Sequence, residues 1–212
     1  MSGSRRGTPS GAANHRLTSN GDDGIVVVVA DPLRLPDECV TTTDYLRSPE
    51  TTRPLELVFG TVREPAAPSW SHQDVVARLL LLVREHVDER GLGDVVSAPV
   101  DVVLDAGRHL VVQPDLCFVA ASRRDLIRGR VWGAPDLVVE VLSYGSRTYD
   151  RRRKLGWYRR YGVREYWVVD PIAREIVVND FASKDRHVLG PRQVLRTRVL
   201  PHLGFEVGHV FP

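Results

Sequence analysis

An α/β chain with a mixed central sheet flanked by helices is the architecture this sequence predicts, and three observations predict it. Short β-branched runs recur between turn signals, one long segment carries a helical stripe, and the second half reads strand, helix, strand. Residues 1–24 are rich in Gly, Ser, Asn and Arg and nearly devoid of apolar side chains, so they cannot repay the entropy of ordering and are expected to be a disordered tail. Residues 25–212 are expected to form a single domain, the usual outcome for a chain of this length. Within it, Thr42-Thr43-Asp44-Tyr45-Leu46 reads as a helix start, and Leu55–Val58, a Gly turn and Thr61-Val62 read as a hairpin. Ser71 is expected to cap a helix opening at His72, whose stripe Val75, Val76, Leu79, Leu80, Leu82, Val83 and Val87 runs until Gly91 ends it. Strands are expected at 95–104, 110–119 and 137–143, a helix over 150–161, and strands at 165–169 and 175–178. The stretch 193–212 alternates weakly and reads as edge structure.

Composition narrows the function classes. No apolar run approaches the roughly 18 residues that a membrane span requires, and 25–30 is too short for a signal-peptide core, so a cytoplasmic protein without membrane contact is expected. Cys39 and Cys117 have neither metal-ligand spacing nor disulfide density and read as reduced thiols. The net charge of +2 hides an asymmetry: residues 123–164 hold twelve Arg or Lys against four acidic residues, and the remainder is acidic. Such a segment suits a polyanion, because each neutralised phosphate releases a counterion, although a solvated arginine-rich helix has the same composition.

The chemistry centres on Asp136-Leu-Val-Val-Glu140-Val-Leu142, an apolar run with a carboxylate in its middle. On a strand, Asp136, Val138, Glu140 and Leu142 share a face, and a charged Glu140 among valines costs several kcal/mol, to an order of magnitude, unless a cation or strong donors compensate it. Either a metal or a structural ion pair must therefore face it. Asp115 follows Pro114, which removes a ladder donor and marks a bulge or sheet edge; an Asp there serves as a metal ligand or satisfies loop amides. Two such carboxylates from neighbouring strands would form a hard-oxygen site for Mg²⁺ or Mn²⁺. Lys154 stands out because only two of the 29 basic residues are lysines, and this one follows Arg151-Arg152-Arg153. A lysine offers a compact point charge able to orient water or stabilise an oxyanion, whereas a plain i,i+4 pair with Asp150 would give it only a helix-surface role.

The block from Gly133 through Glu140 to Ser143, then Asp150–Lys154, then Tyr158–Pro171, resembles the Uma-type restriction-endonuclease family of the PD-(D/E)XK nuclease superfamily. Gln113-Pro-Asp115, Leu55–Gly60 and the helix opened by His72 match the upstream pattern, so the resemblance spans about 42–211. It implies a restriction-endonuclease-like core in which Asp115 and Glu140 are the paired acids, Glu56 is a further metal ligand, and Lys154 comes from the following helix. The usual motif places lysine two residues after the second acid, where this chain has Leu142. The implied function is Mg²⁺- or Mn²⁺-dependent endonucleolytic cleavage of DNA, with Arg147, Arg151, Arg152 and Arg153 steering the backbone. The alternative is a catalytically inactive nuclease fold that binds nucleic acid or regulates a partner. A homodimer would be the simplest way to cut both strands. Lower-ranked residues are His72 as a polar cap, His86 as a dipole partner, Asp136 as a supporting acid, and Tyr158, Tyr161, Tyr166 and Trp167 as core.

Overall fold

The computed structural model describes residues 39–49, 51, 53–143 and 153–212. The expected tail at 1–24 and Asp150, Arg147, Arg151 and Arg152 lie outside the described residues. The first elements follow the sequence: helix α1 (Thr42–Arg47), capped by the Thr41 side chain, then a hairpin of β1 (Glu56–Val58) and β2 (Thr61–Arg63). Helix α2 (Trp70–Arg90) starts earlier than expected. Its N-cap is Ser69, whose hydroxyl accepts from the His72 backbone N–H, and Gly91 closes it in the left-handed conformation. Ser71 has instead been drawn into the first turn, so His72 sits on the buried face.

Two of the expected long strands each break into a pair. The run at 95–104 becomes β3 (Gly93–Ser97) and β4 (Val102–Asp105), and the run at 110–119 becomes β5 (Leu110–Val112) and β6 (Leu116–Ala120). In both cases the halves join different sheets. A short β7 (Val131–Trp132) follows, then β8 (Leu137–Val141), helix α3 (Leu155–Tyr161), β9 (Glu165–Asp170), β10 (Glu175–Asp180) and β11 (Asp185–Leu189); β12 (Val194–Arg196) and β13 (Gly204–Glu206) pair near the C-terminus.

A six-stranded sheet runs β11-β10-β9-β8-β6-β3 and is mixed: β8 and β9 are parallel, the other pairs antiparallel. A second sheet of five strands runs β2-β1-β5-β4-β7. The alternation of β8 decides what covers each face. Leu137, Val139 and Val141 join the core under α2 and the C-terminal segment, with Leu79, Val83, Leu195, Leu203 and Phe205. Val138 and Leu142 join the core shared with the five-stranded sheet and α3, with Val102, Leu110, Val112 and Tyr158. Burial on both faces is why this strand reads as a continuous apolar run.

The edge strand β3 would offer unpaired carbonyls to another chain. Two guanidinium groups occupy them: Arg84 donates to the Val95 carbonyl at 2.8 Å and Arg124 to the Gly93 carbonyl at 3.4 Å.

Candidate active site

Glu140 is 4 % exposed, on the face of β8 that looks towards the second sheet and α3. Its counter-charge is Lys154, itself buried, whose Nζ lies 2.9 Å from Glu140 Oε1 and 3.0 Å from Glu56 Oε1. One ammonium thus bridges an acid from each sheet. Two further bonds to these carboxylates come from the Tyr158 hydroxyl, donating to Glu140 Oε1 at 2.6 Å, and from the Gln113 backbone N–H, donating to Glu56 Oε1 at 3.2 Å. The ion pair expected to face Glu140 is thus supplied by a lysine.

Asp115 sits at the corner where the chain leaves β5 in one sheet and enters β6 in the other. Pro114 lacks the N–H that would continue the ladder, and the corner turns there. Because Leu116 pairs with Val139, the residue before it meets the end of β8 beside Glu140. Asp115 Oδ2 accepts from the Val141 backbone N–H at 2.7 Å and lies 3.3 Å from His72 Nε2. Its other oxygen has no hydrogen bond among the described residues, and its side chain is 20 % exposed. The corner is itself anchored: the Gln113 amide donates to Asp101 Oδ1 at 2.9 Å, and the Tyr45 hydroxyl, held by the Leu55 carbonyl at 2.7 Å, approaches the same oxygen.

His72 is therefore a contact of Asp115 and not the cap the sequence suggested. Burial pulls its pKa down, but the hydrogen bond and charge of Asp115 outweigh that, and the ring titrates above its ordinary value. A histidine whose folded pKa is raised contributes stability that is fully present below the unfolded value, near 6.5, and is lost as pH rises through the folded value. In a metal-free NMR titration, we expect the His72 midpoint above that of a free histidine in the wild type, and lower in Asp115→Asn. A midpoint that does not move on this substitution would rule out the coupling.

Asp136, which like Asp115 follows a proline, is fully buried in a different setting. It is bound by Arg123 at 3.0 Å, Arg164 at 3.2 Å and the Ala120 N–H at 2.9 Å, at the opposite end of β8 from Glu140. These bonds support the sheet and do not reach the Lys154 cluster. His86 likewise bonds the Pro201 carbonyl at 2.9 Å and closes α2 onto the C-terminal segment instead of serving the helix dipole. Tyr158, Tyr166 and Trp167 are core, as expected, but the Tyr158 hydroxyl also serves Glu140. An i,i+4 spacing from Lys154 was the signal that both residues share one helix face.

The basic segment is less free than its count implied. Arg123, Arg124 and Arg130 pair with Asp136, Asp94 and Asp101, Arg164 pairs with Asp136, and Arg128 lies over the Trp132 ring. Arg153, Arg159 and Arg160 are exposed. No group of three or more His, Cys, Asp or Glu gathers closely enough to hold a metal ion among the described residues. Glu56 and Glu140 lean instead on the ammonium between them. The donor set nonetheless suits a hard cation: carboxylate oxygens at adjacent strand ends, one of them on Asp115 without a hydrogen bond.

The sequence profile described as "Putative restriction endonuclease", Uma2, matches residues 42–207, most of the chain. The chain belongs to the Uma2 family. Its fold is shared with a crystal structure titled as a putative nuclease belonging to DUF820 from Anabaena variabilis ATCC 29413, at a TM-score of 0.69 and 18 % identity, covering 81 % of this chain and 97 % of that one. No curated protein matches it. The restriction-endonuclease-like fold expected for the Uma2 family is thus present, with the second sheet as the feature that brings Glu56 to Lys154. No helix among the described residues is long and apolar enough to cross a membrane.

Proposed function

We propose that this protein is a metal-dependent endonuclease that hydrolyses DNA phosphodiester bonds. The observation that carries this reading is the buried Lys154 ammonium held between Glu56 and Glu140, beside Asp115 at the adjoining strand end. Family membership supports phosphodiester chemistry. Asp115 and Glu140, with Glu56, would hold Mg²⁺ or Mn²⁺. Such an ion lowers the pKa of bound water and offsets charge on a phosphoryl oxygen. Lys154, between two carboxylates, is favoured in its charged form, so it donates to the attacking water or to the developing oxyanion and does not act as the base. Tyr158 and Gln113 fix the carboxylates, His72 fixes Asp115, and Arg147, Arg151, Arg152 and Arg153 would steer the backbone from the segment leading into α3. Hydrolysis then adds water across one P–O bond, leaving a phosphate monoester and a hydroxyl.

The experiment is plasmid incubation with Mg²⁺ or Mn²⁺ against Glu140→Ala and Lys154→Ala. The reading expects nicking or linearisation by the wild type, lost with EDTA and reduced at least a hundredfold, on the order of a transition-state contact, in both variants. Cleavage persisting in Glu140→Ala would sink it. The alternative is a nuclease fold that binds without cutting, and Leu142, buried where the usual motif carries lysine, favours it. That alternative expects salt-sensitive DNA retention with no cleavage.

A further inference from the structure

We propose that Phe59, backed by Trp157 and Arg108, is a stacking platform for an unpaired nucleobase beside the candidate active site. This rests on the endonuclease reading and names the substrate class it prefers, a single strand or a strand with an unpaired base.

The starting observation is a residue in the wrong place for packing. The β1–β2 hairpin closes with two central residues of positive φ, Phe59 at 49° and Gly60 at 84°. This is the pattern of a type I′ turn, whose first position favours Asn, Asp or Gly. A phenylalanine there is strained, and the strain is not repaid by burial, since Phe59 stays 44 % exposed.

The ring's surroundings suggest what it does. Two separate elements converge on it. Trp157 of α3 meets it edge-on, with centroids 5.7 Å apart at 87°, and the exposed Arg108 of the β4–β5 turn places its guanidinium 5.6 Å from the ring centre. One turn further along α3, the exposed Arg160 lies over Tyr161. The platform adjoins the site along two stretches of chain: Glu56 of β1 is three residues before Phe59, and Tyr158, which donates to Glu140, follows Trp157. A half-exposed aromatic ring braced by Trp157, with one guanidinium close to it, suits a base with its phosphate alongside. A base inside a duplex already has both faces stacked, so only an unpaired one can use this ring.

The test uses the full chain in EDTA, binding a fluorescent twelve-residue oligo-dT, an abasic strand of equal length, and a duplex. Wild type is expected to prefer oligo-dT to the abasic strand. Phe59→Leu keeps an apolar group against Trp157 but loses the ring, and should weaken oligo-dT binding about tenfold, the order contributed by one stacked base, with abasic and duplex binding unchanged. Phe59→Trp should retain the preference, and a thermal melt for each variant separates this from misfolding. Equal binding of oligo-dT and the abasic strand, or an undiminished Phe59→Leu, overturns the platform even where plasmid cleavage confirms the nuclease. Absence of binding to all three probes also overturns it, and absence of plasmid cleavage by the same protein supplied with Mg²⁺ or Mn²⁺ then removes the endonuclease reading as well.

Discussion

Lys154→Met is expected to destabilise the protein by about 3–5 kcal/mol and to abolish cleavage together. Removing the cation strands two buried carboxylates, Glu56 and Glu140, each 4–5 % exposed at the side chain, and an uncompensated buried charge costs on that order. Stability and chemistry can then be separated. Adding Glu56→Gln and Glu140→Gln to Lys154→Met removes the stranded charges, so much of the stability should return in urea unfolding while cleavage stays absent. If the single variant unfolds at the wild-type midpoint, the buried bridge is not holding the two sheets together. If the triple variant still cuts DNA, the cluster is not the catalytic centre.

Asp136→Ala should show the opposite separation, a stability loss near the lower end of the same range with metal binding intact. Its carboxylate has no exposure, and its removal leaves the Ala120 N–H without its acceptor and Arg123 with the Ala134 carbonyl but no counter-charge, while Arg164 is largely solvated and loses little. Asp115→Ala, with its side chain partly exposed, should cost less stability and lose Mn²⁺ binding. Calorimetric Mn²⁺ titration beside urea unfolding distinguishes Asp115 from Asp136, each of which follows a proline. Were Asp136→Ala to lose the metal and Asp115→Ala to keep it, the assignment of the paired acids would have to be exchanged.

The strand carrying Glu140 was legible because a carboxylate among valines is a local anomaly that needs no tertiary information to notice. Lys154 was legible for a similar reason, as a lysine in a chain that otherwise uses arginine. The two broken strands were not, since 95–104 and 110–119 keep their apolar character across the points where the chain passes from one sheet to the other. Pro114 announced an interruption but could not say that β5 and β6 belong to different sheets. His72 was missed because its role depends on α2 beginning at Trp70, which puts the ring on the buried face against Asp115. The arginine count overstated the free charge, because two of the acids that pair with it, Asp94 and Asp101, lie outside the window counted, and folding brings them in.

The corner at 113–115 ties together parts that could otherwise drift independently. Its first residue holds Glu56 in one sheet through a backbone amide, and its last is held by Val141 in the other. A separation of the two sheets by even the length of one hydrogen bond would therefore dismantle both acidic walls at once, while each sheet kept its own ladders. On the proposed endonuclease reading, catalytic competence would be a property of the seam, and partial opening during breathing or in mild denaturant would silence it well before the secondary structure is lost.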